Sequence, residues 1–180
     1  MSEHIPVFLA EVARLINVKP GGTYIDATFG RGGHAHAILQ QLDADGRLLA
    51  LDRDPQAITA ARLLAEHDSR LSVIHAPFSQ LDELGPKFAP EVDGILFDLG
   101  ISSPQVDEAE RGFSFRNNGP LDMRMDTSRG PTAAEWINSA PEQEISDVLW
   151  QYGEERRSRQ IARRVVDTRG EHPLTTTLEL

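Results

Sequence analysis

The sequence predicts a doubly wound α/β fold, and three observations carry that reading. Four short β-prone runs alternate with helical patterns through the first 104 residues. Four strands separated by three helices require right-handed crossovers, and therefore a parallel sheet. A glycine-rich stretch stands between the first strand and its helix, where sheets of this kind approach their ligands.

The elements follow in order. Residues 23–26 come after the turn Pro20-Gly21-Gly22 and read as the first strand; the glycine-rich stretch then opens onto a helical pattern over residues 34–42. Residues 47–51 form a second strand of the fully buried kind. Asp54 is a helix cap followed by Pro55 at the first helical position, and that helix runs to about residue 66. Within it Ile58, Ala61, Leu64 and Ala65 recur at helical spacing, one apolar stripe to lie on a sheet. Residues 71–74 are the third strand, a weak helix follows over 79–84, and residues 94–97 are the fourth strand. Beyond that the strand signal stops. Residues 104–131 are rich in Pro, Gly, Asp and Asn, a long irregular stretch of the kind that is usually functional. Thr132 can cap a helix over 133–138, Pro141 can start one carrying Ile145, Val148 and Leu149, and a third is expected over 154–168. The predicted division is a ligand-binding sheet domain over residues 1–104 and a loop with a helical inserted subdomain over 105–180. Residues 175–180 look like the capped start of another helix without a stop signal, and four strands are too few to complete the sheet. That is the pattern of a fragment, incomplete at its C-terminus, whose open edges invite a homodimer.

Composition narrows the function. The 180 residues are 39% hydrophobic and 26% charged, a globular balance rather than a disordered one. No apolar run approaches the roughly 20 residues that span a bilayer, and no basic segment followed by an apolar stretch opens the chain. The absence of cysteine excludes disulfides, thiolate chemistry and Cys-ligated metal, and a cytoplasmic location is expected. A net charge of −10 argues against wrapping nucleic acid with the whole surface. Against that background, residues 156–169 stand out, with six arginines and one aspartate. None of the six histidines, His4, His34, His36, His67, His75 and His172, shows metal-ligand spacing, so no metal is expected.

The chemistry concentrates in Asp26-Ala27-Thr28-Phe29-Gly30-Arg31-Gly32-Gly33-His34. Glycines there let the backbone approach a ligand, and the following helix offers N–H donors. Asp52, 20 positions after Gly32 at the end of the second strand, can accept both hydroxyls of a ribose. Three readings stay open. Gly30-x-Gly32-x-x-Ala35 formally matches the dinucleotide fingerprint, which makes an NAD-dependent oxidoreductase an alternative. Against it, four residues separate the strand from the first glycine, and an acidic strand end suits S-adenosylmethionine, which has no pyrophosphate to repel. A glycine-rich turn without a ligand is the third. Phe78, after the third strand, is placed either to stack on an adenine or to be plain core. Asp98, in Asp98-Leu99-Gly100-Ile101-Ser102-Ser103-Pro104 at the end of the fourth strand, is a candidate catalytic carboxylate or a cap for the next segment.

Six segments carry a more specific resemblance. Tyr24-Ile25-Asp26-Ala27-Thr28-Phe29-Gly30-Arg31-Gly32-Gly33-His34, Leu51-Asp52-Arg53-Asp54-Pro55-Gln56-Ala57-Ile58 and Asp98-Leu99-Gly100-Ile101-Ser102-Ser103-Pro104-Gln105 are three. Glu110-Arg111-Gly112-Phe113-Ser114-Phe115, Gly119-Pro120-Leu121-Asp122-Met123-Arg124-Met125-Asp126 and Tyr152-Gly153-Glu154-Glu155-Arg156 are the others. Together they resemble the bacterial small-subunit ribosomal RNA cytosine-N4 methyltransferase H family over nearly the whole chain. The resemblance implies a class I, Rossmann-like fold and methylation by S-adenosylmethionine of the N4 amine of a cytidine in 16S ribosomal RNA, in the decoding region of the small ribosomal subunit. It also implies that Gly32, Gly33, His34, Asp52, Phe78, Asp98 and Gln105 contact the cofactor. In the family the chain returns after the helical insertion to complete the sheet, with a Ser-Phe-His-rich signature that this sequence lacks. A truncated RNA- or cofactor-binding module without activity is therefore a second alternative.

The expected chemistry follows from the acceptor. A cytosine amine is a poor nucleophile because its lone pair is delocalised into the ring; an acceptor such as Asp98, or the carbonyls of Leu99 and Gly100, would return that pair to nitrogen. For the RNA, the loop containing Arg111, Phe115, Arg116 and Arg124 mixes guanidinium groups with aromatic rings suited to phosphates and unstacked bases. Arg156, Arg159 and Arg163 are expected on one face of the last helix as a second contact, although charged helix faces are commonly only solvated.

Overall fold

The structure is a computed structural model that describes residues 8–180, and His4 lies outside the described residues. Two compact units make up the chain, Met1–Gly100 and Ile101–Leu180.

In the first unit the elements run α1 (Leu9–Ile16), β1 (Thr23–Asp26), α2 (Gly33–Leu39), β2 (Arg47–Asp52), α3 (Pro55–Ala65), β3 (Leu71–His75), a single 3-10 turn (Phe78–Gln80), α4 (Leu81–Phe88) and β4 (Gly94–Leu96). The four strands form one parallel sheet in the order β3-β2-β1-β4. This is the expected doubly wound α/β arrangement. Its strands alternate between two cores because successive side chains point to opposite faces. Tyr24, Leu48 and Ala50 pack with Ile38, Leu39, Ala57 and Ala61, under α2 and α3. Ile25, Leu49 and Leu51 pack on the other face with Leu81, Leu84 and Phe88 of α4. Leu48 through Leu51 have no exposed surface, which explains why β2 reads as an unbroken apolar run rather than an alternating one. The chain moves outward from β1 to β3 and then returns past β1 to place β4 on its other side. The order therefore reverses between β1 and β4, and open α/β sheets bind ligands beyond the strand ends at such a point.

α1 was not anticipated. It is only eight residues long and has no fully buried residue, although Leu9, Val12, Ala13 and Ile16 recur at helical spacing; it packs on α2 and β4. Asp54 caps α3 as expected, its carboxylate accepting Gln56 N–H at 2.9 Å. α4 begins later than expected and continues through Pro86, to residue 88.

The second unit comprises α5 (Ser103–Asp107), a 3-10 turn (Ala109–Arg111), an irregular segment, α6 (Ala133–Ser139), α7 (Glu142–Gln151) and α8 (Ser158–Glu171). Its core is Leu121, Ile137, Ala140, Ile145, Ala162, Val165 and Leu174. Thr132 caps α6 as expected, and Glu135 completes a reciprocal capping box with it. α8 begins at Ser158 rather than near residue 154, because Glu154 takes a left-handed φ of 49° that no helix continues. Residues 175–180 form a turn instead of a helix. Thr176 bridges to Pro120, and the Glu179 carboxylate accepts the Thr175 and Thr176 N–H groups. Among the described residues no helix is long and apolar enough to cross a membrane.

Candidate functional site

Three carboxylates end three segments at one edge of the sheet. Asp26 closes β1, Asp52 closes β2, and Asp98 stands two residues past β4. Asp26 is buried; Oδ1 accepts Thr28 N–H at 3.1 Å and Oδ2 has no hydrogen-bond partner among the described residues. Burial is the main force pushing its carboxyl up to about 7, opposed by the Thr28 N–H and reinforced by the charges of Asp52 and Asp98. β2, β1 and β4 are adjacent parallel strands, so the three carboxyl groups share one end of the sheet.

The loop from β1 to α2 runs among them. Gly30 and Gly32 adopt φ of 55° and 79°, and a Cβ on Gly32 would lie 2.5 Å from the buried Phe29 ring, so glycine is required there on two counts. Asp52 ties the loop down. Its Oδ2 accepts Gly30 N–H at 2.8 Å and its Oδ1 accepts Asp54 N–H at 2.9 Å, while each oxygen keeps a second lone-pair direction. This loop-holding role was not foreseen for a residue read as a ribose acceptor. Gly33 opens α2, and His34 is buried in its first turn. His34 Nε2 lies 3.7 Å from Asp98 Oδ2, within charge-pairing range but beyond a hydrogen bond, and Nδ1 has no partner among the described residues.

Asp98 is held by its backbone. Its N–H donates to Thr28 Oγ1 at 2.7 Å, and its side chain is mostly exposed. Phe78 stands edge-on to Phe97, ring centroids 5.7 Å apart at 89°, and both rings are nearly half exposed. β3 and β4 are opposite edges of the sheet, so the segment after β3 has turned across it to bring Phe78 there. The structure thus groups Gly32, Gly33, His34, Asp52 and Asp98 about the β1 loop. It adds Phe97, and it gives a place in the site to Asp26, read from the sequence only as an acidic strand end, and to Thr28, read only as part of the glycine-rich segment. The pattern Asp26-x-Thr28 contained the signal for two of them, since a carboxylate at a strand end commonly takes the N–H two residues on.

Gln105 belongs to the second unit. There it is buried, and its Oε1 accepts Ser102 N–H at 2.9 Å in the capping box of α5. The arginines expected to meet RNA divide into two sets. Arg111 corrects the expectation, being 5% exposed with Nη2 donating to the carbonyls of Arg124 and Met125, an internal post for the loop. Arg124 is likewise engaged within the loop, bidentate on Asp122 at 2.9 and 2.6 Å with Nη1 reaching the Gly130 carbonyl. Phe115 is 80% exposed and Arg116 is exposed beside it. Arg159 and Arg163 are exposed one turn apart on α8, whereas Arg156 precedes the helix, so the expected three-residue face is a pair with an exposed neighbour. No cluster of three potential metal ligands exists among the described residues.

A sequence profile described as the MraW methylase family matches residues 1–180. Among solved structures, the chain is similar to a candidate rRNA methylase from Clostridium thermocellum at 24% identity, covering 55% of this chain and 54% of that one with a TM-score of 0.45. It therefore spans about half the length of that structure. It is also similar to a SAM-dependent O-methyltransferase from Thermotoga maritima (17% identity, 44% and 32% covered, TM-score 0.39). A SAM-dependent methyltransferase from Aquifex aeolicus matches at 16% identity, with 81% and 78% covered and a TM-score of 0.39.

Proposed function

The chain belongs to the MraW methylase family, and from that premise we propose that it transfers a methyl group from S-adenosylmethionine, the donor of that family, to the N4 amine of a cytidine in 16S ribosomal RNA. The observation that carries this reading is the convergence of Asp26, Asp52 and Asp98 around a glycine loop at the point where the sheet order reverses. Such a donor set fits a ligand that is cationic at one end and carries a ribose diol at the other. A pyrophosphate would meet three carboxylates there, which disfavours the dinucleotide alternative.

The division of labour follows from position. Asp52 holds the Gly30 loop and retains acceptor capacity for the diol, while the backbone from Gly30 to His34 lines the ligand's flank. Phe78 offers a half-exposed ring to the adenine. The cofactor, when bound, supplies a methyl group on a cationic sulfonium. Asp98 accepts an N–H of the cytosine amine, which returns lone-pair density from the ring to the nitrogen as the N–C bond forms and the S–C bond breaks. The released proton passes to Asp98 or to water. An exocyclic amine inside a base stack cannot reach such a site, so the target cytidine must be unstacked. Phe115 and Arg116, with Arg156, Arg159 and Arg163, are the exposed side chains proposed to hold the surrounding small-subunit RNA.

Two measurements test the proposal. Calorimetric titration with S-adenosylmethionine should give saturable binding that Asp52→Ala abolishes while circular dichroism shows the variant folded. Incubation with methyl-labelled donor and small-subunit RNA, followed by digestion to nucleosides, should place the label on N4-methylcytidine. Saturable NAD binding without a response to the methyl donor, or label on any other nucleoside, would overturn it.

A further inference from the structure

The β1–β4 pairing ends in a substitution of one kind of hydrogen bond for another. Its last registered pair is Asp26 with Leu96, and its last backbone bond runs from Ala27 N–H to the Leu96 carbonyl at 2.9 Å. Beyond Ala27 the chain leaves the sheet, with Thr28 N–H turned back onto Asp26 Oδ1. Asp98 N–H would lose its partner at this point. The Thr28 hydroxyl supplies one instead, so a side chain stands in for the next rung of the ladder at 2.7 Å.

A second element of the same loop addresses the other end of Asp98. His34 Nε2 faces Oδ2 at 3.7 Å. With Nδ1 buried and without a partner, the tautomer that carries its proton on Nε2 leaves an unpaired acceptor inside rather than an unpaired donor, the cheaper of the two.

We propose that Thr28 is the positioning residue of Asp98, fixing its backbone to the glycine loop, so that a ligand which orders the loop also sets the carboxylate that faces the methyl acceptor. The ligand half of this inference rests on the function proposed above; the structural half does not. Thr28→Val keeps the β-branched shape and removes the acceptor, and Thr28→Ser restores it.

Two readouts on the full chain decide the matter. Hydrogen exchange of the Asp98 amide, followed by NMR without ligand, should quicken at least about ten-fold in Thr28→Val and return to within about two-fold of the parent in Thr28→Ser, with the Ala27 amide unchanged in both. Affinity for S-adenosylmethionine by calorimetry should fall about ten-fold with Val and recover with Ser. Unchanged exchange at Asp98 in Thr28→Val, or a serine variant that behaves like the valine one, would overturn the proposal. If circular dichroism shows Thr28→Val to be unfolded, Thr28→Ala with the same readouts and the same serine comparison decides it. A parent chain that does not bind the methyl donor would sink the proposed function, and the exchange measurement alone would then judge the role of Thr28.

Discussion

Asp26→Asn should make the first unit more stable at pH 8 than the parent while leaving it nearly unchanged at pH 4. The reasoning starts from a carboxyl whose ordinary value is 3.8 and which burial raises to about 7. Between these limits the unfolded chain has released the proton and the folded one has not. The unfolded state therefore binds fewer protons, and stability falls as pH rises through the window, levelling off above about 7. At about 1.4 kcal/mol for each pH unit, the interval corresponds to about 4 kcal/mol as an upper bound, since relaxation around a charged Asp26 would reduce it. Asparagine resembles the protonated acid in shape and charge, and its carbonyl can still accept Thr28 N–H. Urea unfolding at pH steps from 4 to 8.5 is the assay. Far-UV dichroism sees both units, whereas Trp136 and Trp150 lie in the second, so an effect seen by dichroism and not by fluorescence belongs to the first. An offset between variant and parent that is the same at pH 4 and pH 8 would refute the reasoning.

The charge state of Asp26 also enters binding. Affinity of the parent for a cationic donor should rise with pH through about 7, and Asp26→Asn should flatten that profile in calorimetry, because a bound cation draws the proton off the buried carboxyl. Gly32→Ala should destabilise the first unit by about 1–3 kcal/mol in thermal melts, from its left-handed φ and the approach to Phe29. Arg111→Ala should lower the stability of the second unit by about 2–4 kcal/mol through its buried carbonyl contacts. Arg116→Ala, exposed in the same segment, should leave the melt unchanged and weaken binding to small-subunit RNA with a shallower salt dependence.

β2 was legible because it is buried on both faces, and β1 and β3 because short β-prone runs between turn signals leave few alternatives, although β3 is only partly buried. Helix boundaries were less so. The start of α8 turned on one backbone angle at Glu154, which no periodicity reveals. At the site, Gly32, Asp52 and Asp98 were visible by type and spacing. Thr28 was not, because its importance comes from a partner 70 residues away. Arg111 and Arg116 have the same chemistry in sequence; only the fold, which folds the segment around one and leaves the other outside, separates a scaffold from a contact.

The strand order also dictates when the site can exist. Pairing β1 with β2, and β2 with β3, closes loops about a third as long as the one that brings β4 to β1. The longer closure costs about 1 kcal/mol more in chain entropy, and β4 emerges last of the four during synthesis. Three strands can therefore assemble while the outer edge of β1, with Tyr24 and Ile25, still waits for its neighbour. Asp98 reaches Thr28 only when that final strand docks. The Asp98 end of the site is thus built only when β4 pairs, and any delay in that pairing would leave one edge of β1 unpaired and open to other chains.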